Sequence, residues 1–237
     1  MPRFARVVVP GVPHHVTQRG NRREPIFFED GDHAVYCALL AEQMRKHDVE
    51  VWAYCLMPNH VHLILTPAHE AGLGRALGEA HRRYASFINA RSRWVGHLFQ
   101  NRFSSAPMDE GHLISAVRYV SLNPVRAGLA ARAEAWPWSS VRAHLEGKDD
   151  GLVRVAPVLE RISRFSDLIE DSAVAEGRHE PAFRAIRLAE ALGRPLGTRD
   201  FVDDLERRLG RPLARRAPGP KPKPKLAVEG GPGLELG

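Results

Sequence analysis

Apolar positions in the N-terminal part of the chain recur with two periods: two residues, as in a half-buried strand, and about 3.6, as in a helix with one inward face. Residues 6–18 carry the runs RVVVP and HHVTQ around a Pro-Gly-Val-Pro break, which predicts a first strand with an irregular lead-in. A polar basic loop, RGNRRE, follows, and Asp30-Gly31-Asp32 then opens a predicted helix to about Lys46 with Val35, Leu39 and Leu40 inward. VEVWAYCLM and HVHLILT read as the second and third strands; only Pro58-Asn59 separates them, which predicts a tight hairpin. A helix from about Gly74 to Ala90 passes through Leu77, Tyr84 and Ile88. HLFQNRFSSAPM predicts another strand, and DEGHLISAVRYVSLNP a helix stopped by Pro124, because the residue before a proline resists the helical region.

The order β-α-β-β-α-β-α predicts an α+β fold: a ferredoxin-like antiparallel sheet with helices on one face and the other face open to a ligand. Residues 1–147 form the expected first domain. Residues 153–209 show helical periodicity with few strand signals, and residues 148–213 read as a helical C-terminal extension. Residues 214–237 read as a disordered, basic Pro/Gly-rich tail; the stretch RPLARRAPGPKPKPK across its start has basic residues and prolines but no acid.

The composition narrows the class. With 237 residues, 43% hydrophobic and 26% charged, the chain can bury a real core. A formal net charge of +6, mostly from arginine, leans towards a polyanionic partner. Cys37 and Cys55 show no pairing pattern, which suits a reducing compartment. No apolar run approaches the ~18–20 residues of a membrane span. A soluble cytoplasmic protein is expected.

Within the third strand, side chains alternate faces, so Val61, Leu63 and Leu65 point one way and His60, His62, Ile64 and Thr66 the other. Two imidazoles on one face can share a metal ion, although an isolated His-x-His in a strand is more often two partly exposed histidines. Cys55 falls opposite His62 across a two-residue turn, so a zinc site is imaginable, but a buried cysteine acting as a small hydrophobe is the simpler account. Farther on, Leu113, Ile114, Val117 and Val120 make one apolar stripe, with Tyr119 about 150° away from it. Asn123 lies one helical turn beyond Tyr119. A phenol beside a metal is a plausible nucleophile, and an ordinary surface tyrosine is the plain alternative.

These residues carry a resemblance. MPNHVHLIL resembles the His-hydrophobic-His motif of the HUH single-tyrosine nucleases. YVSLNPVRAGL resembles the tyrosine helix of the REP-associated tyrosine transposases, a branch of that superfamily. HHVTQRGNRREPIF, GHLFQNRF and WPWSSVRAHL match the same branch in the same order. The resemblance implies that His60, His62 and Asn123 bind Mg²⁺ or Mn²⁺. It also implies that Tyr119 attacks a phosphodiester of single-stranded DNA, leaving a 5′-phosphotyrosine and a free 3′-hydroxyl. Hairpins of repetitive extragenic palindromes are the implied substrate, and cytoplasmic DNA of the nucleoid the implied setting. Arg19, Arg22, Arg23, Arg82, Arg83, Arg93 and Arg102 are the expected DNA-binding set. Phe99 stands where the family carries tryptophan, and Ser121 where it often carries histidine; both departures bear on specificity more than on chemistry. Two other readings stand beside this one: a hairpin-binding protein that no longer cuts, and a metal-dependent hydrolase using activated water.

Overall fold

The computed structural model describes residues 6–170 and 181–213. Four strands, β1 (His14–Arg19), β2 (Val49–Met57), β3 (His60–Pro67) and β4 (Ser104–Pro107), form one antiparallel sheet in the order β2-β3-β1-β4. Helix α1 (Asp30–Lys46) joins β1 to β2, α2 (Gly72–Ser92) joins β3 to β4, and α3 (Glu110–Arg126) follows β4. The α+β class and the antiparallel sheet are as expected. The Pro58-Asn59 hairpin is also as expected, with Met57 paired to His60.

Alternation builds the first layer. Val16, Val51, Tyr54, Leu56, Val61, Leu63 and Leu65 point to one face and pack against Tyr36, Leu40 and Met44 of α1 and Leu73, Leu77, Tyr84 and Ile88 of α2. One polar clamp ties these helices together. Arg91 on α2 holds both carboxylate oxygens of the fully buried Asp32 on α1, at 2.5 and 2.9 Å. Burial alone would raise the Asp32 carboxyl. Hydrogen bonds from Arg91 and from the backbone N–H groups of Phe28 and Glu29 more than offset it and hold the group below its usual range.

The opposite face is not open, which corrects the expectation that the helices share one side. A bulge at Trp52 turns both Trp52 and Ala53 to the second face, where they join Cys55, Met57, Ile64 and Ala106. Helix α3 packs there through Leu113, Ala116, Val117 and Val120. The physical reason is that β2 is apolar on both sides, so leaving one side in water would cost free energy.

Two boundaries also move. Helix α3 runs through Pro124 to Arg126. Proline forfeits one hydrogen bond near the helix end, and Asn123 stays helical all the same. The fourth strand is confined to four residues; the stretch before it is loop, with a single bridge between Gly20 and Phe99.

Helix α4 (Val141–Glu146) closes the first 147 residues, and residues 148–213 hold α5 (Ala156–Leu159), α6 (Phe165–Ile169), α7 (Pro181–Leu192) and α8 (Arg199–Leu209). Phe165, Phe183, Ile186, Ala189 and Leu196 belong to the same apolar cluster as α3, whereas Val153 and Val155 join the first core and Leu205 and Leu213 pack with Val7 and Val9. The expected tail, 214–237, lies outside the described residues. No helix among the described residues is long and apolar enough to cross a membrane.

Candidate active site

The β1–β3 register brings the site together. Thr17 lies opposite His62 and Arg19 opposite His60, so His15, Thr17 and Arg19 share a face with both histidines of β3. His60 Nδ1 lies 2.6 Å from Asn59 Oδ1. An amide oxygen only accepts, so His60 Nδ1 carries the hydrogen and Nε2 keeps its lone pair. His62 Nδ1 lies 3.0 Å from His15 Nε2. Burial, with the charge of Arg19 adding to it, lowers His60 to about 4. Burial lowers His15 to about 4 and takes His62 well below 6.5. All three imidazoles are therefore neutral at neutral pH.

Cys55 does sit opposite His62. Its thiol is pushed up by burial and lies 3.7 Å from Met57 Sδ, as befits a small core hydrophobe.

Tyr119 comes from the middle of α3, off the apolar stripe, and meets the histidines of its own chain. Its ring centroid is 5.6 Å from that of His62 and 6.0 Å from that of His15, edge-on to both. Arg126, two turns along α3, stands with its guanidinium 5.0 Å from the Tyr119 ring centroid. Burial and the nearby Glu190 push the phenol up, and Arg126 and Arg187 offset part of that rise. Arg126 also reaches Asn123 Oδ1 at 3.5 Å, while the buried Asn123 Nδ2 has no partner among the described residues.

Helix α7 roofs the arrangement. Phe183 packs edge-on against Tyr119 with centroids 5.2 Å apart. Ser104 Oγ donates to the Glu190 backbone carbonyl at 2.5 Å. Burial raises the Glu190 carboxyl, and a hydrogen bond from Thr17 partly offsets that. Tyr119 is left 5% exposed.

The seven arginines do not form one footprint. Arg19 faces His60 and His62. Arg22 and Arg23 are exposed at φ 53° and 65°, in a turn beside the hairpin, where Asn59 Nδ2 donates to the Arg23 carbonyl. Gly20 starts that turn, and a Cβ there would meet the Glu24 carbonyl oxygen at 2.1 Å. Arg82 and Arg102 line a groove of about 470 Å³ between α2 and the loop before β4, together with Arg6 and His97. Arg82 is paired with Glu79, and Arg83 with Glu42 on α1, on the far side of the sheet from Tyr119. Arg93 is exposed at the end of α2.

The family model described as Transposase IS200 like matches residues 9–123. Over this stretch the chain is similar to IS200-like transposases. A solved structure of a REP-associated tyrosine transposase bound to a REP hairpin matches with a TM-score of 0.54 at 19% identity, covering 65% of this chain and 90% of the other. A candidate transposase from Deinococcus radiodurans R1 aligns at 22% identity and a TM-score of 0.36, covering 50% of this chain and 95% of the other. The comparison with curated proteins gives no match. Transposases of this kind are generally tyrosine nucleases that use a divalent metal.

Among the described residues no three of His, Cys, Asp and Glu gather into a metal group, so the available donors are two imidazoles and one amide. The imidazoles suit the task. Each is neutral, each has its Nδ1 engaged by a neighbour, and neither Nε2 has a hydrogen-bond partner among the described residues. Sequence reasoning missed His15, Arg126, Phe183 and Glu190. His15 could have been found by carrying the strand alternation across to β1. Arg126 sits inside the quoted tyrosine motif. Nothing in the sequence announces that α7 folds back over the transposase-like stretch.

Proposed function

We propose that the chain is a metal-dependent single-stranded DNA endonuclease and strand transferase that acts on hairpins of repetitive extragenic palindromes, in the cytoplasm at nucleoid DNA. The observation that carries this reading is the placement of Tyr119 edge-on to His62 of the same chain, 5.6 Å between centroids, within the stretch similar to IS200-like transposases. Tyr119 is the nucleophile. Its oxygen bonds to phosphorus as the bond from phosphorus to the 3′-oxygen breaks, giving a 5′-phosphotyrosine and a 3′-hydroxyl. His60, His62 and Asn123 would hold Mg²⁺ or Mn²⁺, and two imidazoles favour Mn²⁺. When bound, such an ion supplies Lewis-acid polarisation of the scissile phosphate. Arg126, beside the Tyr119 ring, lends positive charge to the phenol oxygen as it loses its proton. Arg19, Arg22 and Arg23 gather phosphates beside the hairpin turn. Arg82, Arg83, Arg93 and Arg102 add a wider electrostatic field.

A second reading has its own support. Tyr119 is 5% exposed under Phe183, which suits a hairpin-binding protein that no longer cuts. A nicking assay in Mn²⁺ on a labelled hairpin with a single-stranded flank separates the two. The endonuclease reading expects product from the wild type and none from Tyr119→Phe. Equal product from both would remove Tyr119 as nucleophile, and no product from either would favour the binder.

A further inference from the structure

Two histidines stand side by side in β1, and the structure gives them different work. His14 is wired to backbone: its Nδ1 lies 2.7 Å from the Val12 carbonyl and its Nε2 takes the Val9 N–H at 3.2 Å. His15 points to the other face of the sheet. Its Nε2 meets His62 Nδ1 at 3.0 Å, with the two rings within 3° of coplanar and centroids 5.2 Å apart. Coplanar rings with nitrogens at that distance make an in-plane hydrogen bond. Both residues are 2% exposed, so no water competes for it.

We propose that His15 is a positioning residue: it accepts the Nδ1 hydrogen of His62 and so holds His62 in the tautomer whose Nε2 lone pair faces the candidate cation site. The proposal rests on the reading of His60 and His62 as a metal-binding pair. The direction of the bond follows from what lies around His62. If His15 donated instead, the His62 hydrogen would sit on Nε2 and point into a space bordered by the positive charges of Arg19 and Arg126. No acceptor bonded to Nε2 is found there among the described residues, and an N–H dipole aimed at those positive charges is unfavourable where a lone pair is not. The chosen direction also makes the pair symmetric. Asn59 Oδ1 accepts from His60 Nδ1 as His15 Nε2 accepts from His62 Nδ1, so both histidines of β3 offer Nε2. A ligating imidazole gains basicity and a fixed ring plane from such a partner, and losing the partner costs about 10–100-fold in metal affinity.

The test is Mn²⁺ affinity of the full chain by titration calorimetry, alongside thermal midpoint and hairpin affinity. His62→Ala should abolish binding. His15→Phe keeps a ring of similar shape without an acceptor, and His15→Asn has a side chain too short to reach; both should weaken Mn²⁺ about 10–100-fold with hairpin affinity unchanged. His15→Gln, whose Oε1 can occupy the place of Nε2, should stay within a few-fold of wild type. Wild-type affinity in the Phe and Asn variants, with His62→Ala inactive in binding, would overturn the role of His15 alone. Wild-type affinity in His62→Ala would overturn the metal-site reading beneath it. A His15→Phe loss as complete as that of His62→Ala, without rescue by Gln, would make His15 a ligand and overturn the positioning role. Loss of folding in both the Phe and Asn variants would assign His15 to the core and overturn it too.

Discussion

Alternate residues of the same strands build two sheet faces with opposite characters. On the face covered by α1 and α2, Val16, Leu63 and Leu65 are fully buried among aliphatic and aromatic side chains. On the other, Thr17, Arg19, His60 and His62 share a face and Tyr119 meets His62, while the Tyr119 helix packs its own apolar stripe mainly on β2. A rigid apolar layer fixes the backbone, and the pleat then presents every second side chain at a set spacing on the reverse side. The chemistry of the second face therefore depends on the stability of the first, but not the converse.

Substitutions can test that asymmetry. The largest expected effect is on activity: His60→Ala or His62→Ala should abolish cleavage while leaving hairpin binding nearly unchanged. Loss of folding along with cleavage would mean that the second face also holds the sheet together. On the first face, Leu63→Ala should cost about 2–5 kcal/mol in chemical denaturation, with metal affinity of the folded fraction unchanged. Arg91→Ala should cost about 3 kcal/mol by leaving the Asp32 carboxylate buried and unpaired, and Asp32→Asn should restore part of it.

A smaller effect follows from the buried histidines. His14, His15 and His60 have folded values lowered to about 4 from 6.5 by burial. Above 6.5 both folded and unfolded chains carry them neutral. As pH falls from 6.5 towards 4 the unfolded chain binds protons first, so stability is lost across that window. Between pH 7 and pH 5 each fully buried one should contribute a loss of about 1–2 kcal/mol. A flat stability profile across that range would show that these imidazoles are open to solvent.

Much of this contrast is legible in the sequence, because it rests on local periodicity. The alternation in HVHLILT sorts β3 into a core face and a histidine face, and Pro58-Asn59 marks the turn. Helix α1 begins and ends where the pattern places it. What escapes is set by non-local packing. The bulge at Trp52 and the covering of the second face depend on which elements meet. Pro124 reads as a stop, yet α3 continues because the packed surroundings outweigh one missing hydrogen bond. Tyr119 reads as aimed away from the core stripe, which is so, but Phe183 arrives from some 60 residues away and buries it. His15 is visible only once β1 is registered against β3.

The central claim is that the Tyr119 oxygen becomes covalently joined to DNA. Mass spectrometry of tryptic peptides, after incubation of the full chain with Mn²⁺ and a hairpin bearing a single-stranded flank, tests it most directly. The account predicts a 5′-phosphonucleotide adduct on the peptide that contains Tyr119 and none in Tyr119→Phe. Cleaved DNA with no adduct on that peptide would contradict it.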